Sequence, residues 1–234
     1  MEPADRELVD GLLAAYRKGY FPMAEPARGL RPGRLAWFNP DRRCILPLGV
    51  DTGATADHAA FHVPRSLART VRRGTFRITA DTAFDRVICE CAAPRKGEPG
   101  TWIDERIIHA YTLLHGAGAA HSIEAWLGDE PGRTLVGGLY GVRIGAAFFA
   151  ESKFSRPELG GTDASKVCLV HLVHHLRRRG FTLLDVQFPN PHLEQFGTRE
   201  TPRDDYLALL AIAVAGAPNW LPFEPEATRA ELAR

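Results

Sequence analysis

The chain has 234 residues, 45% of them hydrophobic and 24% charged, with a formal net charge of +1. That length buries a substantial core, in one domain or in a large domain with a small one. The charge balance does not mark a general nucleic-acid binder, although basic residues cluster locally, and no apolar run approaches the roughly 20 residues of a membrane span. The N-terminus, Met1 to Arg6, carries charges of both signs and no apolar segment like a signal peptide's, so a cytoplasmic protein is expected. Cys44 and Cys168 are isolated, and Cys89 and Cys91 form C-x-C with no second pair to complete a zinc site. All four read as reduced, partly buried thiols.

Leu8, Leu12, Leu13 and Tyr16 recur at helical spacing, which predicts a helix over residues 5–19 stopped by Gly19. Tyr20 to Met23 reads as an apolar turn, residues 24–34 as a loop and Cys44 to Leu48 as a short strand. Trp37 and Phe38 sit beside a turn, either as core anchors or as the wall of a pocket for an apolar ligand. Residues 49–60 look like a linker, which puts a boundary near residue 60 between a small domain, 1–60, and a larger one, 61–234. Pro64 to Arg73 reads as a helix bearing Arg65, Arg69, Arg72 and Arg73, either a solvated face or a seat for a phosphate backbone. Phe76 to Thr79 is a short strand, and Thr82 to Cys91 a helix capped by Asp81 or Thr82. A loop from Pro94 to Gly100 leads to a helix from Asp104 to His115.

Ala120 to Trp126 alternates, and a polar turn separates it from Leu135, which predicts a hairpin. The strand from Leu135 is expected to turn near Gly141 to Arg143, with Ile144 to Phe149 as the next strand and Glu151 at its exit. Gly160 and Gly161, with Thr162 or Asp163 as cap, then start a helix from Ala164 to Arg179 with a broad apolar face; Arg177 to Arg179 close it and Gly180 stops it. Phe181 to Gln187 reads as a third strand. A turn of helix from His192 to Phe196 and a helix from Thr201 through Ala215 follow, then a tail rich in Pro and Ala. Helices and short strands, then a meander, then strand–helix–strand make an α+β protein rather than a doubly wound sheet.

Asp185 and Gln187, two apart on the predicted strand, project from one face. With Glu151 they form a polar trio set in apolar strands. The two carboxylates suit a guanidinium, a lysine head or an α-ammonium; they read equally as strand-end residues paired with a local arginine. Gln187 is no strong base, but it can orient an amine by accepting its N–H. His171 and His175 have the spacing of two zinc ligands, yet Leu172 stands where H-E-x-x-H requires Glu, so His171, His174 and His175 read as helix-surface residues. Neither a G-x-S-x-G nor a phosphate-binding G-x-x-x-x-G-K-[ST] loop is present.

Several dispersed blocks, in order, resemble the signature of bacterial leucyl/phenylalanyl-tRNA–protein transferases: Gly19 to Pro22, Trp37 to Asp41, Gly100 to Ile103, His121 to Glu124, Val136 to Gly141, Phe149 to Arg156, Ala164 to Lys166, Leu184 to Gln187 and Pro202 to Leu207. The segment Pro157 to Asp163 is longer than in familiar members. The resemblance implies a small N-terminal domain followed by a GCN5-related N-acetyltransferase-like domain with a mixed, mainly antiparallel sheet. It implies transfer of Leu or Phe, and Met less well, from aminoacyl-tRNA to the N-terminal Arg or Lys of an acceptor protein, making an N-degron. The enzyme would be a monomer, without a metal or other cofactor. Carried onto this chain, Asp185 would polarise Gln187, which either draws a proton from the attacking amine or only positions it, and Glu151 would hold the acceptor's basic side chain and amine. Trp37, Phe38, Trp102, Leu139, Phe148, Leu172 and Leu176 become candidates for the amino-acid pocket, with Trp102 also placed to stack the terminal adenine. Arg65, Arg69, Arg72 and Arg73, together with Arg177 to Arg179, become candidate phosphate seats. Two rivals are an acetyltransferase using acetyl-CoA, with Gly160-Gly161 cradling a pyrophosphate, and a non-catalytic tRNA- or peptide-binding module.

Overall fold

The computed structural model describes residues 1–25, 33–49, 61–94, 101–130 and 132–233. The loops predicted at 24–34 and 94–100, the linker and the boundary near residue 60 lie largely outside the described residues. The first helix is α1 (Pro3–Arg17). Residues after it form not a turn but β1 (Phe21–Ala24), paired antiparallel with β2 (Leu35–Phe38). Then come β3 (Arg42–Leu46), α2 (Arg65–Arg73), β4 (Arg77–Ala80), α3 (Phe84–Ala92), α4 (Glu105–Gly116) and β5 (Ala120–Leu127). Asp104 caps α4, accepting from the amides of Arg106 and Ile107. The cap predicted for α3 is absent: Asp81 turns its carboxylate to the Ser122 amide, His121 and the Trp220 indole.

The next two strands correct two expectations. β6 (Thr134–Ile144) runs straight through Gly141 to Arg143, and the chain turns at Gly145, φ 57°, before β7 (Ala147–Ser155). Gly141 is there for space at a bulge, since a Cβ would come within 2.3 Å of the Phe149 carbonyl oxygen. Because β7 continues to Ser155, Glu151 lies inside a strand rather than at its exit. Next are α5 (Ala164–Arg179), β8 (Leu183–Asp185), α6 (Pro191–Glu194), β9 (Arg199–Pro202), α7 (Arg203–Val214) and α8 (Pro225–Glu231). β9 occupies the predicted start of the last helix, and α8 lies in the Pro- and Ala-rich tail.

Seven strands form one sheet in the order β4-β5-β6-β7-β8-β3-β9, antiparallel throughout except where β7 meets β8. β3, from the chain before residue 60, is an interior strand of it. α1, α3, α4 and α7 cover one face, and α2 and α5 the other. Strand alternation splits β7 between the two cores, Phe149 going to the first and Phe148 to the second. His171 and His175 correct another expectation: they are buried in the second layer, and burial pushes their imidazoles down to about 3 and about 4, so both are neutral. Among the described residues no group of three His, Cys, Asp or Glu is placed to hold a metal. Cys44, Cys91 and Cys168 are buried, whereas Cys89 is exposed.

Candidate active site

β7 and β8 pair only through Ala147 to Phe149 and Leu183 to Asp185. Beyond that they part. β7 stays with β6 as far as Ser155, while the chain after Asp185 leaves the strand, with Gln187 in the left-handed region at φ 58°. A cavity of about 760 Å³ occupies the fork, a size typical of small-ligand sites. Glu151 and Gln187 both line it, beside the apolar side chains of Met23, Trp102, Leu139, Leu169 and Phe188.

Behind this lining sits a buried ion pair: the arginine partner read as an alternative for Asp185 is real, but it is Arg43, which sequence patterning did not single out. β3 runs antiparallel to β8 with Ile45 facing Asp185, which brings Arg43 to the Asp185 carboxylate. Neither side chain is exposed. Asp185 Oδ1 accepts from Arg43 Nε at 2.9 Å and from the Gln187 backbone amide at 2.8 Å. Its Oδ2 accepts from Arg43 Nη2 and from the Tyr206 hydroxyl, both at 2.7 Å. Arg43 Nη1 donates to the Gly19 carbonyl at 2.9 Å, and the guanidinium lies over the rings of Phe21 and Tyr206. A charge pair taken fully out of water persists only when its hydrogen bonds are satisfied this completely. Burial pulls the Arg43 guanidinium down, but Asp185 more than offsets it and holds the group above its ordinary value.

Asp185 therefore does not reach the cavity. It acts on Gln187 through that residue's backbone amide, and the two do not project together from one strand face, because β8 ends at Asp185. The Gln187 side chain has the opposite character: its Nε2 is buried and has no hydrogen-bond partner among the described residues. An unpaired amide donor in a cavity wall is costly unless a ligand completes it.

Across the fork, Glu151 Oε1 accepts from the Tyr16 hydroxyl at 2.7 Å, and that hydroxyl also meets the Tyr111 hydroxyl. Burial, reinforced by Asp185, pushes the Glu151 carboxyl up to about 8, against the pull of the tyrosine hydrogen bonds. Burial first, and then Glu151, keeps both phenols well above their usual range. At neutral pH the Glu151 carboxyl therefore favours its protonated form. Tyr16 was legible only as one more residue of an apolar helix face.

The other sequence candidates divide. Trp102 and Leu139 line the cavity. Phe148, Leu172 and Leu176 do not; they have no solvent exposure and belong to the second core, where an apolar pattern looks the same as a pocket wall. Trp37 points outward, 49% exposed. Phe38 stacks on Phe21 and meets Phe188 edge-on, supporting the lining from behind. Arg65, Arg69, Arg72 and Arg73 are exposed on α2, which packs against α5 and α8. Arg177 to Arg179 are engaged instead by Leu48, by Thr228 and Glu231, and by Asn219 and Leu221.

A mixed α+β sheet that forks beside an apolar cavity, with Glu151 and Gln187 in its lining, is the architecture of the GCN5-related N-acetyltransferase-like fold. A crystal structure of FemX shares the fold, with a TM-score of 0.51 at 11% identity over 82% of this chain and 66% of that one. The family model for leucyl/phenylalanyl-tRNA protein transferase matches residues 56–211, and the model for that enzyme's N-terminal domain matches residues 8–41. A Caulobacter vibrioides (strain NA1000 / CB15N) protein named leucyl/phenylalanyl-tRNA–protein transferase is 48% identical over 211 residues, covering 90% of this chain and 88% of its own. A Hyphomonas neptunium protein of the same name is 48% identical over 205 residues, covering 88% of this chain and 71% of its own. The chain belongs to the leucyl/phenylalanyl-tRNA–protein transferase family and is an aminoacyltransferase.

Proposed function

We propose that the chain moves Leu or Phe, and Met less readily, from aminoacyl-tRNA onto the N-terminal Arg or Lys of acceptor proteins, as a cytoplasmic monomer. The product carries an N-degron. One observation carries this reading: the Glu151 carboxyl and the unpartnered Gln187 amide line the same cavity, beside an apolar lining. The apolar side chains take Leu or Phe. Glu151, ionising on contact, takes the acceptor's cationic end. The neutral α-amine attacks the ester carbonyl, a C–N bond forms, the ester C–O bond to the tRNA ribose breaks, and the amine's proton passes to the ribose oxygen.

Gln187 positions these groups: its side-chain oxygen accepts the amine N–H, and its free Nε2–H donors face the carbonyl whose charge develops. Proximity in a dry site supplies most of the acceleration. Asp185 is a positioning residue, holding the left-handed turn that aims Gln187. Arg65, Arg69, Arg72 and Arg73 are the proposed seat for tRNA phosphates, a contact blind to sequence and weakened by salt.

The test is transfer from labelled Phe-tRNA to a peptide beginning with Arg. Gln187→Ala should lose most transfer while still binding Phe-tRNA, and Asp185→Ala, which strands Arg43 in the interior, should lose transfer together with stability. Wild-type rates in Gln187→Ala would refute the assignment. Acetyl incorporation from acetyl-CoA would favour the acetyltransferase instead.

A further inference from the structure

A free N-terminal Arg or Lys brings two cations, the α-ammonium and the side chain. The resemblance assigns both to Glu151, which carries one charge at most and is, among the described residues of the fork, the carboxyl not already ion-paired, because Asp185 is committed to Arg43, Tyr206 and the Gln187 amide. The second cation needs another acidic partner. Two more carboxylates line the same cavity: Glu90 on α3, and Glu158 in the short helical turn Pro157–Leu159 that follows β7. Their side chains are 32% and 60% exposed. Between them stands Arg156, whose guanidinium pairs with Glu90 and lies 3.8 Å from Glu158. This wall already holds a guanidinium, one belonging to the chain itself.

We infer that Glu90, with Glu158 beside it, is the site for the side-chain cation of the acceptor's first residue, and that Arg156 occupies it in the empty enzyme and yields it when the acceptor binds. The inference rests on the acceptor class proposed above. A pair about one-third exposed, between long side chains, is worth under about 1 kcal/mol, so an incoming guanidinium replaces the resident one at little cost. Arg156 keeps its backbone in place during the exchange: its amide donates to the Val136 carbonyl and its carbonyl accepts from the Gly161 amide, each at 2.8 Å. Only the side chain has to swing. The planar fork of an arginine fits a carboxylate better than a lysine head does, so the site favours Arg over Lys.

The test is steady-state transfer from labelled Phe-tRNA to peptides beginning with Arg, Lys or citrulline, the last shaped like arginine but uncharged. Glu90→Gln should raise the KM for the Arg peptide about twofold to fivefold, and Arg156→Gln should lower it by a similar factor. The KM for Phe-tRNA should move in neither, and Glu90→Gln should narrow the preference for Arg over citrulline. An unchanged peptide KM in Glu90→Gln, or a rise in Arg156→Gln, overturns the exchange and leaves the pair a structural clamp. If either variant melts early, Glu158→Gln, at the more exposed member, should raise the peptide KM by a smaller factor; no rise overturns the site. A wild type that uses Arg and citrulline peptides equally well refutes the acceptor class itself, not merely its placement.

Discussion

Two arginine–carboxylate pairs flank the cavity, and they are opposites. Arg43 and Asp185 are sealed from water, with five hydrogen bonds described above tying them to one another, to Tyr206, to Gly19 and to the Gln187 amide. Glu90 and Arg156 are each about one-third exposed and keep one close contact. Burial decides what such a pair is for. In the interior, removing one partner strands a charge, so the pair is scaffold. At the rim, water screens the loss, so the pair is replaceable.

The sharpest way to break this contrast is Arg43→Met, which leaves Asp185 buried and alone. It should cost about 3–5 kcal/mol of unfolding free energy in a urea titration, with transfer nearly abolished; an equal loss from Arg156→Gln would erase the distinction. Next is Glu151→Gln. The fold holds the Glu151 carboxyl at about 8, above the ordinary 4.5 of a glutamate, so it favours the neutral form. That advantage is complete below the ordinary carboxylate range and is lost as pH rises toward 8. The variant should therefore gain on wild type in Tm between pH 4.5 and 8 and hold that margin above, with about 1.4 kcal/mol per pKa unit as the ceiling. A pH-independent margin would remove Glu151 from the buried network.

A smaller effect is expected from Tyr206→Phe, which deletes one hydrogen bond to Asp185 Oδ2 and should cost about 1–2 kcal/mol with a parallel fall in transfer. Smallest is salt. Raising ionic strength from about 0.1 to 0.5 M shortens the screening length by half or more, so the KM for the Arg peptide should rise modestly while the Tm contribution of Arg43–Asp185, read as the wild-type difference from Arg43→Met, stays put.

The central strands, α5 and the pair Glu151 and Gln187 were legible because apolar runs broken by a few polar residues stand out along a chain. Arg43 was not. It follows Arg42, the strand's other arginine, which is exposed, and its partner lies 142 residues away. Local periodicity carries no information about such a pairing. The pocket was half legible for a related reason: Leu139 and Leu172 look alike in sequence, yet one lines a cavity and the other fills a core. The apolar pattern carried on by Val186 reads as strand through Gln187 and masks a local turn, in which Asp185 captures the amide two residues on and Gln187 takes the left-handed conformation. β9 was hidden by Pro202, a residue equally at home at an edge strand's end and in a first helical turn.

The position of β3 has a consequence for how the molecule is made. It waits between strands contributed by residues 183–185 and 199–202, so in a growing polypeptide β3 stays unpaired until those later strands have been made. A truncated copy lacking its first sixty residues would expose that seam and Asp185 together, and should be cleared by proteases rather than accumulate as a working half.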